Sequence, residues 1–381
     1  MYSVDNSAHT GLSPIIKWAG GKEKELPFIF SNAPQTFENY YEPFVGGGAV
    51  FTAFPAKRHY INDKSEELIA LYRCIATSDG GFFQWLGAIM QTWESMLDFI
   101  RSHEPLCSQY VEYRADGLSD GGMAAAVAAF LTAHAAELNA ILERRFTWHR
   151  GVYGKELKKN LIRKTSRMKQ IERAKGSMPP ADVFSNIETA FMSALYMYFR
   201  HLYNDRDLMR SDLGLGTAVF VFIRNYAYSG MFRYSKRGLF NVPYGGIGYN
   251  HKLLDKKITY YKSAPLLKHF GTTSIHNLDF EDFLTRNPPR ENDFVFLDPP
   301  YDSEFSTYAQ NEFSQDDQRR LASYLISRCR AKWMMVIKNT PFILSLYEKH
   351  QLTIKTFDKK YLVSFMNRND KRAEHLIIMN Y

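Results

Sequence analysis

The segment Asp298-Pro299-Pro300-Tyr301 constrains the fold of this chain more than any other, because it directly follows the apolar run at residues 293–297. Short apolar runs of this kind are typical of buried strands. Proline lacks a backbone N–H and has φ fixed near about −65°, so a strand cannot continue through the pair. The segment therefore predicts the carboxyl end of a strand, with an acid and an aromatic ring beside carbonyl groups that have little freedom.

A pocket built from these groups suits a flat ring that bears an exocyclic amine, which is adenine or cytosine. The amine is a poor nucleophile because its lone pair is delocalised into the ring. Hydrogen bonds accepted by the Asp298 carboxylate and the Pro299 carbonyl would return electron density to the nitrogen as it attacks. Tyr301 would stack on the base, which is worth about 1–3 kcal/mol and is comparable with the cost of extruding a base from a duplex. Taken alone, the segment also fits a simple strand end with a packed tyrosine.

A glycine-rich segment from Glu42 to Gly48 follows two tyrosines and precedes an apolar stretch. It predicts a strand, a glycine turn and the start of a helix, with backbone N–H groups that approach a ligand closely. The full dinucleotide fingerprint is absent, which argues against a nicotinamide enzyme. Residues 59–63 predict a second strand that ends at Asp63, where α/β folds bind a ribose, although such an aspartate also often caps the next helix. Together these segments predict a cofactor that carries adenosine.

Three segments, in the order 17–22, 42–48 and 298–301, resemble the motifs of the Dam family of DNA adenine-N6 methyltransferases, of the D12 class and alpha group. Residues 225–245 resemble the DNA-reading hairpin of that family and its flanks. The similarity extends over residues 11–75, 200–262 and 274–381. It implies an α/β fold with a Rossmann-like S-adenosylmethionine-dependent methyltransferase sheet, a helical and hairpin target-recognition region, and an additional helical insertion. It also implies methylation of a flipped adenine at N6 in double-stranded DNA.

The resemblance assigns roles by position. The catalytic residues it implies are Asp298, Pro299, Pro300 and Tyr301. The residues it implies in binding S-adenosylmethionine are Trp18, Lys22, Phe44, Gly46, Gly48, Asp63, Asp279, Phe280 and Asp298. The residues it implies in binding DNA are Lys17, Tyr228, Ser229, Met231, Arg233, Arg237 and Pro243. No metal is expected, because the sulfonium of the cofactor is already an activated leaving group.

Sequence reading is expected from the hairpin. Arg233 would read a guanine, because its fork matches the O6 and N7 acceptors and a good bidentate pair is worth about 1–3 kcal/mol. GATC is the expected site, although Ser229 stands where GATC-reading members carry an asparagine. Arg233 and Arg237 would add affinity without sequence choice if they contacted phosphates alone. Core packing is the alternative for Trp18, and an apolar hairpin face is the alternative for three residues: Tyr228, Met231 and Phe232.

The formal net charge of +8 is concentrated in residues 155–175, which hold nine basic residues against Glu156 and Glu172. This segment accounts for +7, so the rest of the chain is nearly neutral. Apolar residues recur at helical spacing and predict an amphipathic helix over residues 155–171. We expect its cationic face to lie along DNA phosphates. A solvated face, or a surface for RNA, a partner protein or an anionic membrane, are the alternatives.

The length of 381 residues suits a main domain with insertions. We expect residues 1–79 to form the cofactor-binding half and residues 271–381 the catalytic half. Residues 201–270 would recognise the target. Residues 80–200 would be a helical insertion outside the family resemblance, with its protein partner unassigned.

The carboxyl-terminal third predicts the rest of the sheet. Apolar runs lie at residues 333–337, 352–357 and 375–379, and an amphipathic helix is predicted at 318–328. This alternation is typical of a mixed α/β sheet. We expect the last two runs to form a terminal antiparallel pair with a polar turn at residues 367–371.

Three widely spaced cysteines, Cys74, Cys107 and Cys329, indicate neither a disulfide framework nor a zinc site. The first residues lack the pattern of a secretory signal, and no run reaches about 18 apolar residues, so we expect a cytoplasmic protein without a membrane partner. Two other functions compete with DNA adenine methylation. One is methylation of RNA adenine or of cytosine N4, and the other is DNA binding without catalysis on a methyltransferase fold.

Overall fold

The computed structural model describes residues 2–3, 10–18, 20–104, 106–142, 145–300, 313–360 and 372–381. The chain divides into two compact units. The sheet unit comprises Met1–Thr77 and Thr259–Tyr381, and the helical unit comprises Ser78–Ile258.

In the sheet unit, strands alternate with helices, whereas the helical unit consists mainly of α-helices. The strands are β1 (Tyr2–Ser3), β2 (Thr36–Phe37), β3 (Asn39–Glu42), β4 (Arg58–Asn62), β5 (Thr273–His276), β6 (Phe294–Leu297), β7 (Lys332–Lys338), β8 (Thr353–Lys360) and β9 (Arg372–Met379). The α-helices are α1 (Leu26–Asn32), α2 (Glu66–Ala76), α3 (Gly80–His103), α4 (Cys107–Arg114), α5 (Asp120–Ala133), α6 (Ala135–Ile141), α7 (Arg150–Lys175), α8 (Pro180–Asn204), α9 (Arg206–Ser211), α10 (Leu213–Tyr226), α11 (Asp255–Tyr261), α12 (Ala264–Phe270), α13 (Phe280–Arg286), α14 (Gln315–Ser327) and α15 (Pro341–Tyr347). Single turns of 3-10 helix lie at Tyr228–Gly230 and Ile247–Tyr249.

Seven strands of the sheet unit form one sheet in the order β5-β4-β3-β6-β7-β9-β8. Strands β5, β4, β3, β6 and β7 are parallel, whereas β9 is antiparallel to both β7 and β8. All four residues of β6 are buried, as expected of a parallel strand that is covered on both faces. The predicted α/β fold and the terminal antiparallel pair are thus confirmed. The polar turn predicted at residues 367–371 lies outside the described residues.

The direction in which strands are added to the sheet reverses between β3 and β6. The chain passes from β3 to β4 and β5 on one side, and later from β6 to β7 on the other. In open α/β sheets, ligands bind outside the carboxyl ends of the strands at such a reversal. The fold therefore places a candidate ligand site after Glu42 of β3 and Leu297 of β6.

The prediction that a helix starts after the glycine segment is wrong. Residues 49–53 form turns, with a helix-type bond from Phe54 N to Val50 O at 3.2 Å. Pro55 disfavours helical backbone at the residue before it, so the turn cannot grow into a helix. The chain instead leads directly into β4.

The helical unit is built around aromatic contacts between helices. Trp93 of α3 packs against Phe222 and Tyr226 of α10, with ring centroids 5.4 and 4.7 Å apart. The helix predicted at residues 155–171 is confirmed within α7.

The expected boundary between residues 200 and 201 falls inside α8, and both sides of it belong to the helical unit. Residues 259–270, which we grouped with target recognition, belong to the sheet unit. The expected insertion and most of the expected target-recognition region therefore share one folded core.

Candidate active site

Three segments singled out from the sequence follow three adjacent strands. The glycine segment follows β3, Asp63 follows β4, and Asp298 follows β6. The parallel register pairs Glu42 with Ile61, and Tyr41 with Val295. Because the carboxyl ends of parallel strands meet at one edge of a sheet, the structure brings these segments together.

The glycine segment is held by neighbouring backbone and side chains. The Gly46 N–H donates to Asp63 Oδ2 at 3.0 Å, and the Tyr72 hydroxyl donates to the Gly46 carbonyl at 2.9 Å. Gly48 has φ of +77°, and a Cβ at this position would overlap the Tyr72 hydroxyl. A Cβ at Gly47 would overlap the carbonyl of Ile16. Glycine is therefore required here for backbone conformation and for close packing.

The indole of Trp18 packs on this segment, since a Cβ at Gly46 would stand 3.1 Å from its Cδ1 atom. Trp18 is half-buried. It therefore packs on the glycine turn without belonging to the deep core. Lys17, next to it, is exposed. The segment 17–18 thus presents an aromatic ring and a cation at the glycine turn.

An ion pair joins Lys22 Nζ to Asp298 Oδ2. Lys22 is only 2% exposed, and its ammonium also donates to the Gly20 carbonyl at 3.0 Å. The sequence assigned Lys22 to the cofactor and gave no sign of this pair, whose members are distant in the chain. The contact gives the carboxylate of the Asp-Pro-Pro segment a fixed cationic neighbour.

A second acid, Glu42, lies buried beside this pair. Burial raises the pKa of Glu42 well above its ordinary value, and the charge of Asp298 raises it further, against the lowering effects of Tyr40 and Lys22. The Tyr40 hydroxyl donates to Glu42 Oε2 at 2.6 Å. Both carboxyl groups thus interact with one lysine, and the raised pKa of Glu42 favours its neutral form.

Asp63 anchors the loops after β3 and β4. Its carboxylate accepts from Gly46 N at 3.0 Å and from Ser65 N at 2.9 Å, while burial raises its pKa. The cap of α2 is Ser65, whose hydroxyl accepts from Leu68 N at 3.4 Å, so the helix-cap alternative for Asp63 is wrong. A carboxylate can accept about four hydrogen bonds, so acceptor capacity remains for a ribose.

Phe44 and Phe280, two of the predicted cofactor residues, belong to a cluster of three aromatic rings. The rings of Phe44 and Phe280 lie 5.7 Å apart, and Phe313, which the sequence did not single out, lies 5.5 and 5.6 Å from them. Asp279 caps α13 and pairs with Arg320 at 2.7 Å. Asp279 therefore has a structural role. Phe280 is buried, whereas Phe44 and Phe313 are half-buried and offer apolar surface to a flat ligand.

The two prolines differ in exposure: Pro299 is buried and Pro300 is exposed. The Pro300 carbonyl accepts from Gln318 Nε2 at 2.9 Å, and Gln318 is fully buried in α14. This hydrogen bond connects α14 to the Pro300 carbonyl and so holds the turn that follows Asp298. Tyr301, the predicted stacking residue, lies outside the described residues.

In the helical unit, the segment expected to hold the DNA-reading hairpin and its flanks, residues 225–245, is closed by two isolated antiparallel bridges. Tyr234 and Phe240 make an antiparallel bridge, and Ala227 bridges Tyr244. The flank is fastened to α8 by buried Asn250, which accepts from the Tyr244 hydroxyl at 2.9 Å and donates to Glu188 at 2.8 Å.

The predicted DNA-binding residues lie on the outer parts of this hairpin and its start. Arg233, Arg237 and Pro243 are exposed, Met231 is half-buried, and Tyr228 is 47% exposed. Arg233 Nε donates to Asn241 Oδ1 at 2.9 Å, which orients its guanidinium.

The apolar-face alternative holds for Phe232, which packs against the Arg224 guanidinium at 4.2 Å and against Phe220 at 5.9 Å. Tyr228 is too exposed to belong to such a face. Ser229 is exposed and has φ of +54°, in the left-handed region that asparagine adopts more readily than most residues. Ser229 thus replaces the asparagine of GATC-reading members at a position whose backbone conformation favours asparagine.

The basic segment forms α7, with Leu157, Leu161 and Met168 buried. Asp116 pairs with both Lys169 and Arg173 at 2.8 Å. Lys159 pairs with Glu156 at 3.2 Å. The other basic residues of the segment have no carboxylate partner among the described residues: Lys155, Lys158, Arg163, Lys164, Arg167 and Lys175.

Comparison with known proteins agrees with this geometry. The family model described as D12 class N6 adenine-specific DNA methyltransferase matches residues 18–175 and 155–363. The chain therefore belongs to the D12 class of N6 adenine-specific DNA methyltransferases. The expectation that residues 80–200 lie outside the family resemblance is wrong, because the family match runs through them.

Two relatives align over almost the whole chain. Type II methyltransferase M.CviBI of Paramecium bursaria Chlorella virus NC1A is 26% identical over 97% of this chain and 100% of its own length. Type II methyltransferase M.MjaIII of Methanocaldococcus jannaschii is 25% identical over 97% of this chain and 99% of its own. The Retron Ec67 DNA adenine methylase of Escherichia coli is 34% identical, over 34% of this chain and 43% of its own.

Within the described part of the chain, no single helix has both the length and the apolar character to cross a membrane. The bent pair α5 and α6 reaches both only when its two helices are taken together.

Proposed function

We propose that this methyltransferase uses S-adenosylmethionine to methylate the N6 amine of an adenine flipped out of double-stranded DNA. The observation that carries the proposal is the meeting of the glycine segment, Asp63 and the Lys22–Asp298 pair at the reversal between β3 and β6. The donor set fits the cofactor: Asp63 offers acceptors for ribose hydroxyls, and the half-buried rings of Phe44 and Phe313 offer apolar surface. Bound there, the cofactor supplies an activated methyl group.

Asp298 and the Pro299 carbonyl hold the target amine by accepting its N–H groups. Transfer needs the nitrogen about 3–3.5 Å from the methyl carbon and in line with the leaving sulfur, so positioning supplies much of the rate. Lys22 orients Asp298 through the ion pair, and the raised pKa of Glu42 favours its neutral form beside that lysine. Asp298 acts as acceptor and orienter, and the proton leaves after attack.

Recognition of DNA falls to the hairpin of the helical unit. The exposed ring of Tyr228 is available to insert beside the flipped base, and Arg233, oriented by Asn241, is available to read a guanine. Lys17 would contact a base or a neighbouring phosphate. We infer GATC as the recognised sequence from the resemblance of the hairpin. Ser229 differs from the asparagine that GATC-reading members carry at this position.

The cationic face of α7 would add phosphate contacts. Lys155, Arg163 and Arg167 are spaced by eight and then four residues, which places them along one side of the helix. They have no carboxylate partner among the residues that the structure describes. Such cations are free to neutralise phosphates, and each would steepen the dependence of affinity on salt.

The proposal is tested with the full-length protein, methyl-labelled S-adenosylmethionine and, in parallel, unmethylated double-stranded DNA and RNA. Digestion to nucleosides should place the label in N6-methyladenine from DNA. Label in N4-methylcytosine or in RNA alone would overturn the substrate assignment. Tight DNA binding without any transfer would instead favour a non-catalytic binding protein.

A further inference from the structure

Two histidines and a glutamate of the helical unit converge at a site that the methyl-transfer chemistry does not use. His103 is the last residue of α3, and His134 lies between α5 and α6, where the chain bends by 69°. Glu137 lies in the first turn of α6. One ligand atom from each residue lies within 4.8 Å of the other two.

The carboxylate faces both imidazoles. Glu137 Oε1 lies 2.9 Å from His134 Nδ1, and Glu137 Oε2 lies 3.3 Å from His103 Nε2. Around a tetrahedral ion with bonds of about 2.0–2.1 Å, neighbouring ligand atoms stand about 3.3 Å apart. The two separations involve different carboxylate oxygens, so the assignment rests on the set of three ligand atoms, one from each residue, that lie within 4.8 Å of one another.

The hydrogen bonding of His103 fixes which nitrogen is available. Its Nδ1 lies 2.9 Å from the Phe99 carbonyl, and a carbonyl only accepts, so Nδ1 carries the proton. Nε2 then faces a carboxylate oxygen, a contact that either a proton on Nε2 or a metal ion shared by the two atoms makes favourable. Histidines that bind metals commonly donate their other N–H to a backbone carbonyl in this way.

The surroundings support a compact site. The two imidazole rings lie edge to face with centroids 4.5 Å apart. Phe99 packs 4.4 Å from His103, and Phe130 packs 4.6 Å from His134. The histidine side chains are each 25% exposed and the glutamate is 54% exposed, so solvent can reach the site and supply a further ligand.

We propose that His103, His134 and Glu137 form a binding site for a transition-metal dication of the Zn²⁺ class. Two imidazole nitrogens and one carboxylate oxygen are ligands that Zn²⁺ accepts, with water at the fourth position. The ion ties the end of α3 to the bend between α5 and α6. Its role is structural, because its ligands come from separate segments of the helical unit.

The test titrates the full chain, freed of metal with a chelator, with ZnCl₂ in a calorimeter. We expect one ion per chain, with affinity reduced about tenfold or more in His103→Ala, His134→Ala and Glu137→Gln. His251→Ala is the matched control, because His251 also faces a carboxylate, Glu188 at 3.1 Å, but outside the cluster. That variant should bind Zn²⁺ like the parent. No saturable binding, or equal binding by Glu137→Gln and the parent, would overturn the proposal.

Hydrogen exchange gives a second readout that locates the ion. Zn²⁺ should slow amide exchange at the end of α3 and through α6 in the parent chain, and not in Glu137→Gln. Slower exchange elsewhere in the helical unit, with no change at these helices, would place the ion at another site and contradict the assignment.

Discussion

The strand-end site of the sheet unit and the hairpin of the helical unit are built in opposite ways. At the strand ends, Lys22 and Glu42 are buried and Asp63 is half-buried; Lys22 pairs with Asp298, and Asp63 accepts from the Gly46 N–H. On the hairpin, Tyr228 and Arg237 project from a small bridge that aromatic contacts hold in place. Methyl transfer needs groups fixed before the substrate arrives, whereas reading DNA needs side chains that are open to it. Mutations in the two regions should therefore separate rate and stability from affinity and site choice.

The largest separation is expected from Asp298→Ala. Loss of the acceptor that orients the target amine should lower the rate of methyl transfer about 10²–10³-fold or more, by analogy with the removal of one group that stabilises a transition state. Because the hairpin is untouched, DNA affinity should stay within a few-fold of the parent. Single-turnover transfer and equilibrium DNA binding measure the two effects.

Lys22→Met with Asp298→Asn is the control for folding, since Asp298→Ala alone leaves a buried ammonium without this partner. If both variants fold and still methylate DNA at the parent rate, the strand-end site is not where the chemistry occurs.

Acid should weaken the sheet unit first. Burial lowers the pKa of His59 to about 4 and that of His269 to about 3, and the two rings lie 4.2 Å apart. The folded pKa lies below the unfolded value of about 6.5, so the stabilising contribution is present above pH about 6.5 and is lost as pH falls towards 4. For His59 the loss is on the order of 3 kcal/mol. Hydrogen exchange, corrected for intrinsic rates, should show β4 and α12 losing protection before α8 and α10; the reverse order would contradict this.

Replacing glycine by alanine should lower the free energy of unfolding in the glycine segment and raise it in α7. Gly48→Ala places a Cβ at φ of +77° against the Tyr72 hydroxyl, and should cost about 2 kcal/mol or more of unfolding free energy. Gly154→Ala, in exposed helix α7 with open space around it, should stabilise by about 0.5–1 kcal/mol. Denaturant unfolding of both variants measures the difference. A tolerated Gly48→Ala would remove the argument for a rigid glycine segment.

The smallest effect should come from α7. Replacing Lys155, Arg163 and Arg167 by glutamine should reduce the slope of log affinity against log salt by about 3 and leave site choice unchanged. Removing three charges from the sheet unit at Arg330, Lys332 and Lys349 is the matched control and should change the slope little. Equal changes in both triple variants would mean that only net charge matters.

The positions of the strand-end segments could be predicted from the sequence, because each segment is a continuous motif that directly follows a strand. Strand runs that end at Glu42, Asp63 and Asp298 carry their own turn chemistry, so the sheet could be placed from local patterns. The Lys22–Asp298 pair and the contribution of Phe313 were missed, since they arise only when distant segments pack together.

The helical unit was harder to predict. Its helices were visible from their periodicity, but their assembly into one core with the hairpin depends on contacts such as Trp93 with Phe222 and Asn250 with Glu188. No local pattern signals such pairings. For the same reason the boundary drawn at residue 200 cut through a continuous helix.

The measurement that tests the account most directly is a map of methylated adenines, by single-molecule sequencing, in DNA treated with the parent chain and with Arg233→Ala. We predict N6-methyladenine at one short motif for the parent. The variant should keep adenine chemistry and stability but lose discrimination at one guanine of that motif, by about 1–3 kcal/mol or roughly tenfold to a hundredfold. Absence of methylated adenine from the parent reaction, or an identical motif and preference in the variant, would contradict the division of chemistry and reading between the two units.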